Sequence, residues 1–386
     1  MQRIVVIGAG AGGVMAANRM RRALGRNEAE ITVLERSERH VYQPGFVPLL
    51  FDLDKPENLV RPTKDLLLNG ISLVADEATL IAPKENKVTT ANSGDLFYDY
   101  LVIATGAQLY LDEPEGMKEG LAKAENVFTF YSLEDALKLR DALKRIEGGT
   151  IVSSIAEMPI KCLAAPVKFI MLAESTMRMR GQRDKYRFVL TVPTLSIPPN
   201  MEPYASALAA ILTARGIEVM LDFTPATVDP ETGTIEDFRG NQVNFDLLAI
   251  IPPHEGQDLL QKSQDVADLV GWVPCDRNSL RHRSVDNIYV IGDAGNIPSG
   301  KTASGARIQA KVLAQRMRDH IRGRQPEAIY DGHTICPIYT RHGRAMFAEF
   351  DYEKSISPAK ESYIKWLLHI HMLRRLYWNF MLKGLI

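Results

Sequence analysis

A glycine-rich turn near the start of the chain limits its fold more than any other feature. Gly8-Ala-Gly10-Ala-Gly-Gly13 follows the apolar stretch Arg3-Ile-Val-Val-Ile-Gly8 and precedes a segment rich in Ala and Met. Strand, tight turn and helix in that order set a bare backbone beside a helix N-terminus. Gly8 permits the turn, Gly10 lets the main chain approach a pyrophosphate, and Gly13 lets helix and strand pack closely. The unpaired N–H groups and positive dipole end of the helix then face the phosphates. The next strand, Ile31-Thr-Val-Leu-Glu35, ends in a carboxylate suited to both ribose hydroxyls and unfavourable to a 2′-phosphate. Arg36 beside it joins the cofactor-binding candidates. The order predicts an α/β chain that opens on a Rossmann-like dinucleotide-binding unit.

With 386 residues the chain can bury large cores and form two or three domains, which suits a cofactor held between them. A formal net charge of -1 argues against nucleic acid as a partner. The apolar N-terminal stretch is the nucleotide-binding strand, so it is not read as a signal peptide. No internal repeat and no long uninterrupted apolar run appears, and the default location is the cytoplasmic side. The eight histidines lack metal-ligand spacing, and no metal is invoked.

Further along, Tyr98-Asp-Tyr-Leu-Val-Ile-Ala-Thr105-Gly106 reads as a buried strand ending in a small-residue turn. Alternating elements follow: helices near 132–145, after Pro166 and near 202–215, with strands at 150–154, 186–191 and 218–221. They predict a second α/β unit inserted into the first. The strand Ile288-Tyr-Val-Ile-Gly292-Asp293 returns to the first unit, and a helix follows from about 303 to 322. The expected units are 1–107 with 271–330, then 108–270, then 331–386.

The glycine turn, the Ala-Thr105-Gly106 turn and the Ile-Gly292-Asp293 block resemble, over roughly residues 1 to 325, the two-dinucleotide-binding-domain flavoprotein superfamily. The resemblance implies FAD bound in an extended form. Asp293 is then expected at the ribityl chain, and Pro44 with Gly45 beside the isoalloxazine. Relatives that oxidise NADH or NADPH carry a second glycine fingerprint in the insert. Here residues 150 to 162 contain no glycine, and side chains along this stretch obstruct the close backbone approach a second pyrophosphate needs.

A cysteine stands there instead. Pro159-Ile-Lys161-Cys162-Leu-Ala164-Ala-Pro166 resembles the signature of sulfide:quinone oxidoreductases, and Thr334-Ile-Cys336-Pro resembles that family's C-terminal block. The resemblance implies a pair, Cys162 and Cys336, adjacent in space. Sulfide can attack a disulfide or polysulfide bridge, leaving a persulfide on one cysteine and a thiolate on the other. Cys162 is assigned the flavin-facing role and Cys336 the sulfur-carrying role, or the reverse. Lys161 is a candidate for lowering the Cys162 pKa, or else points to solvent. Many members carry a third cysteine near Val127–Tyr131, which in some tethers FAD. Phe128 takes that position here, so the FAD is expected to be non-covalent. Ala164 stands where glycine is common, and Cys275 is read as structural. Lys301 resembles the family's lysine near the flavin or quinone oxygen.

Residues 359 to 386 interleave Trp366, Tyr377, Trp378 and Phe380 with Lys365, Arg374, Arg375 and Lys383. The charges forbid an ordinary span and suit helices lying in a lipid headgroup layer. The alternative is an amphipathic helix docked on the protein's own core or at the interface of a homo-oligomer. Phe347, Phe350 and Tyr352 are the quinone-packing candidates. The function expected is oxidation of hydrogen sulfide to polysulfide or elemental sulfur with reduction of a membrane quinone, by a peripheral membrane flavoenzyme. Rival readings are a sulfide dehydrogenase serving a c-type cytochrome, a type II NADH:quinone oxidoreductase, and a flavin-binding sensor without turnover.

Overall fold

The computed structural model describes residues 1–199, 201–356 and 359–386. The chain begins with β1 (Gln2–Ile7), α1 (Ala11–Ala23), β2 (Ala29–Leu34), β3 (Ile71–Val74) and β4 (Tyr100–Ile103). It continues through β5 (Val127–Phe128), α2 (Leu133–Arg145), β6 (Gly149–Ile155), α3 (Ala165–Met179), β7 (Tyr186–Thr191), α4 (Tyr204–Ala214), β8 (Ile217–Met220) and β9 (Leu247–Ile251). Then come β10 (Ile288–Val290) and α5 (Ala303–Ile321). Two five-stranded sheets result, ordered β10-β4-β1-β2-β3 and β5-β9-β6-β7-β8. Every pairing within them is parallel.

β1 occupies the middle of the first sheet, with Val6 opposite Val33 on one side and Val102 on the other. Burial on both faces accounts for its unbroken Ile4–Ile7 apolar run. β10 joins β4 only after the second sheet is complete, so that sheet is an excursion of the chain between β4 and β10. Local chemistry sets the helix ends. Ser132 caps α2, its Oγ accepting from Asp135 N at 3.0 Å, with acids in the first turn and Lys144 and Arg145 in the last. β7 coincides with its predicted range, and the other predicted elements differ by a few residues at their ends.

The antiparallel hairpin of β11 (Thr334–Arg341) and β12 (Arg344–Phe350) is absent from the sequence reading. Its turn uses His342-Gly343, with Gly343 at φ +76, a conformation open to glycine at little cost. β11 packs on α3. Beyond the hairpin the chain runs as one helix in which Tyr363–Leu367 and Arg374–Leu376 are α-helical and Leu368–Leu373 and Tyr377–Met381 are π-helical. Its inner face buries Trp366, His369, Tyr377, Trp378 and Met381. Asn18 Nδ2 donates to Leu382 O at 2.7 Å, and Arg374 pairs with Asp54 at 2.9 Å. That face is docked on the protein's own core, while Ile364, Leu368, Met372 and Phe380 remain exposed on the helix. Among the described residues no helix is long and apolar enough to cross a membrane.

Candidate active site

One cavity of about 680 Å³ collects most of the residues singled out from the sequence. Gly8, Gly10, Glu35, Pro44, Thr105, Gly106, Gly292, Asp293 and Lys301 line it, and so do Cys162, Cys336 and Phe347. Gly8 has φ +97, and a Cβ there would lie 2.5 Å from Ala104 O. Gly13 lies behind the wall, where a Cβ would come within 1.8 Å of Gly8 O, which is the close helix–strand packing expected of it. Gly10, Gly106 and Gly292 instead have nothing within 4 Å of a Cβ position, so a side chain at any of them would fill open space beside the wall. Glu35 Oε2 accepts from Ala9 N at 2.6 Å and Oε1 from Ser37 N at 2.8 Å, which leaves lone pairs for ribose hydroxyls. Thr105 Oγ1 is buried on this wall without a hydrogen-bond partner among the described residues. Bare backbone, a carboxylate and an unsatisfied hydroxyl along one wall fit an extended dinucleotide.

Cys162 stands at the other part of the wall, just before α3 and beyond the carboxyl end of β6. That position is the ligand crevice of an open parallel sheet. Its φ is +52. Its N–H donates to Lys301 O at 2.9 Å, and its carbonyl accepts from Ala165 N at 2.7 Å. Cys336, on β11, is 174 residues away in sequence, and the two sulfurs are 3.8 Å apart. Lys168 Nζ lies 3.2 Å from Cys162 Sγ. The hydrogen bond from the Cys336 thiol, the Lys168 ammonium and the Ala164 N–H together hold Cys162 down to about 5. The same hydrogen bond, with burial, pushes Cys336 well above the ordinary thiol range. One sulfur of the pair is thus poised as a thiolate and the other as a thiol.

Lys168 is the functional candidate the sequence reading missed, and Lys161 is not the cation that acts on Cys162. Lys161 Nζ sits 5.5 Å over the Tyr131 ring and faces Asp293. The signal for Lys168 was a lone charge in the apolar run Ala164–Ala173. Lys301 Nζ donates to Asp293 O at 2.6 Å and Gly295 O at 3.2 Å, and stands 4.2 Å over Trp272. Burial raises the Asp293 pKa, opposed by Lys301 and Lys161.

Besides Gly13, three candidates fall off the wall. Arg36 is exposed, its guanidinium bound to Glu77 at 3.0 Å, while Arg39 lines the cavity instead. Phe347 and Phe350 sit at odd and even positions of β12 and so face opposite sides of the hairpin. Phe350 packs against Gly300. Tyr352 lies past the strand, its hydroxyl donating to Arg277 O at 2.8 Å and its ring edge-on to Tyr330. Phe128 is buried in the core, and its neighbours Phe130 and Tyr131 line the cavity. Cys275 is buried, and burial pushes its thiol up to about 12. From the C-terminal helix, His369, Leu373, Leu376 and Tyr377 complete the wall.

Known proteins carry the same arrangement of sequence and fold. Residues 2–310 match the pyridine nucleotide-disulphide oxidoreductase family. The chain is 31% identical over 393 residues to the mitochondrial sulfide:quinone oxidoreductase of Mus musculus, spanning 99% of this chain and 86% of that protein. It is 30% identical to the corresponding protein of Dictyostelium discoideum, with the same coverage. The crystal structure of the Aquifex aeolicus sulfide:quinone oxidoreductase superposes with a TM-score of 0.85 at 22% identity, covering 98% of this chain and 92% of that one. The chain therefore belongs to the sulfide:quinone oxidoreductase family, as an FAD-dependent oxidoreductase within the pyridine nucleotide-disulphide oxidoreductases.

Proposed function

We propose that this protein oxidises hydrogen sulfide to polysulfide or elemental sulfur through Cys162 and Cys336 and reduces a membrane quinone. The observation that carries the reading is the 3.8 Å sulfur pair on the wall of the dinucleotide cavity, with Lys168 against one sulfur. The separation exceeds one S–S bond, about 2.05 Å, and by a few tenths of an ångström the span of a bent S–S–S bridge, so closure takes only a small approach of the two sulfurs. A pair so spaced can close directly or around one added sulfur. Hydrosulfide attacking the bridged pair at Cys336 leaves a persulfide there and a thiolate on Cys162, which Lys168 and the α3 N-terminus hold in its charged form. Loss of two electrons and one proton rejoins the pair with the added sulfur between them. FAD, when bound, supplies the two-electron acceptor for that oxidation and the donor for the quinone. Gly10, Gly106 and Gly292 would hold its backbone-facing parts and Glu35 its ribose, without covalent attachment since Phe128 is buried away from the cavity.

The units adopted with this reading are 1–107 with 271–330 around FAD, 108–270 carrying Cys162, and 331–386 for the acceptor. Phe347 and the helix residues Leu373 and Leu376 give the quinone an apolar wall, and the exposed row Ile364, Leu368, Met372 and Phe380 seats the protein in a lipid surface. The test is turnover of purified protein with decylubiquinone, using sulfide or NADH as donor. Quinol should form with sulfide alone and be lost, by at least about a hundredfold, in Cys162→Ser and Cys336→Ser. Quinol formation from NADH that survives both substitutions would replace this reading with an NADH dehydrogenase.

A further inference from the structure

We propose that His369, backed by Tyr339, is a proton relay that carries protons from the Asp54–Arg374 surface to the quinone as it is reduced. The inference rests on the quinone reading above. Reduction of a quinone takes two electrons and two protons. Oxidation of one hydrosulfide to sulfane sulfur releases two electrons and one proton, so the sum HS⁻ + quinone + H⁺ gives sulfane sulfur and hydroquinone. At least one proton per turnover must reach the acceptor from solvent, through a wall that is otherwise largely apolar.

His369 is the polar group at the right place in that wall. It lines the main cavity, and it also lines a second, small pocket of about 10 Å³, room for about one water. Tyr42, Asp54, Tyr339 and Arg374 share the small pocket. The His369 ring stacks on Tyr339 at 4.3 Å and 10°. His369 Nδ1 and the Tyr339 hydroxyl are both buried and have no hydrogen-bond partner among the described residues. Each such group costs about 1–3 kcal/mol where an apolar side chain would cost nothing. Two orphans together beside a water-sized pocket mark a wet contact rather than packing. The outer end is the Asp54–Arg374 pair, 2.9 Å apart, with 10% and 26% of their side chains exposed.

His40 offers the contrast. It lines the same cavity, but its Nδ1 is bound to Ala9 O at 2.8 Å and its Nε2 to the Tyr377 hydroxyl at 2.7 Å. Both of its nitrogens are committed. A neutral imidazole with a free nitrogen can give its N–H proton to a quinone oxygen on one side and accept a proton on the other, ending neutral in the other tautomer. The groups facing His369 are Lys168, Tyr339, Tyr42, Asp54 and Arg374. Burial and the Lys168 charge keep the ring neutral.

The test compares two oxidants of the sulfide-reduced, full-length holoprotein in stopped flow. Decylubiquinone needs protons and ferricyanide does not. In His369→Gln the ratio of the decylubiquinone rate to the ferricyanide rate should fall about tenfold or more, and in Tyr339→Phe by less, with a larger solvent isotope effect on the quinone reaction alone. If both oxidants slow together, or neither does, His369 is structural and the relay is wrong while the quinone reading stands. If the wild-type protein reacts with ferricyanide but not with decylubiquinone, the quinone reading fails and the relay falls with it.

Discussion

Cys162 occupies a left-handed backbone conformation that costs a side chain roughly 1–2 kcal/mol, and the Lys301 and Ala165 hydrogen bonds hold it there. The strain places the sulfur where Cys336 and Lys168 converge. Its depressed pKa depends on that convergence, so Lys168→Met should move the alkylation midpoint of Cys162 upward, toward the ordinary thiol range near ~8.5. Iodoacetamide labelling of the reduced protein near pH 6 should slow at least about tenfold as the thiolate fraction falls; an unchanged midpoint would mean that Cys336 alone holds the thiolate. Gly8 and Gly10 sit in the strand–turn–helix that the local motif predicts, and Cys162 lies just before α3. Lys168 escaped notice because its role is set by a partner six residues back across a turn. Lys161, next in sequence to the cysteine, points elsewhere.

At the scale of elements, α3 and the β11–β12 hairpin make the site together. α3 is buried along most of its length and carries Glu174, fully buried and held by Arg178 at 2.6 Å, Arg183 at 3.0 Å and Arg215. Removing the carboxylate leaves the guanidiniums facing one another, so Glu174→Ala should lower the unfolding free energy by about 3–5 kcal/mol. Urea denaturation measures this, and a loss below about 1 kcal/mol would show that solvent already screens the cluster. The hairpin was not legible. Its alternation is interrupted by Pro337, and the tertiary contact that aims Cys336 at Cys162 leaves no local pattern. The same gap left Phe350 unplaced, because its packing against Gly300 becomes visible only once the hairpin is known.

For the whole molecule, two parallel sheets and a docked C-terminal helix enclose one cavity, and buried neutral histidines stitch the parts together. Burial lowers His40 to about 4 and His254 to about 3, both below the ordinary ~6.5. The unfolded chain therefore binds more protons below about pH 6.5. Stability present above that pH drains away as the pH falls toward 4, by about 3 kcal/mol for His40 alone. The urea midpoint should drop between pH 7 and pH 5, less steeply in His40→Gln; a flat profile would refute the assignment. The alternation of strands and helices and the glycine turn were readable because their spacing is local. The docking of the C-terminal helix was open between core and lipid; its inner face lies on the core, and the lipid contact of its exposed row is proposed. The central claim is that sulfide electrons enter FAD through the cysteine pair. Anaerobic flavin absorbance of the purified protein, titrated with sulfide, tests it most directly. Rapid bleaching that is lost in both Cys162→Ser and Cys336→Ser is the expected result, and bleaching that persists in either variant would contradict the account.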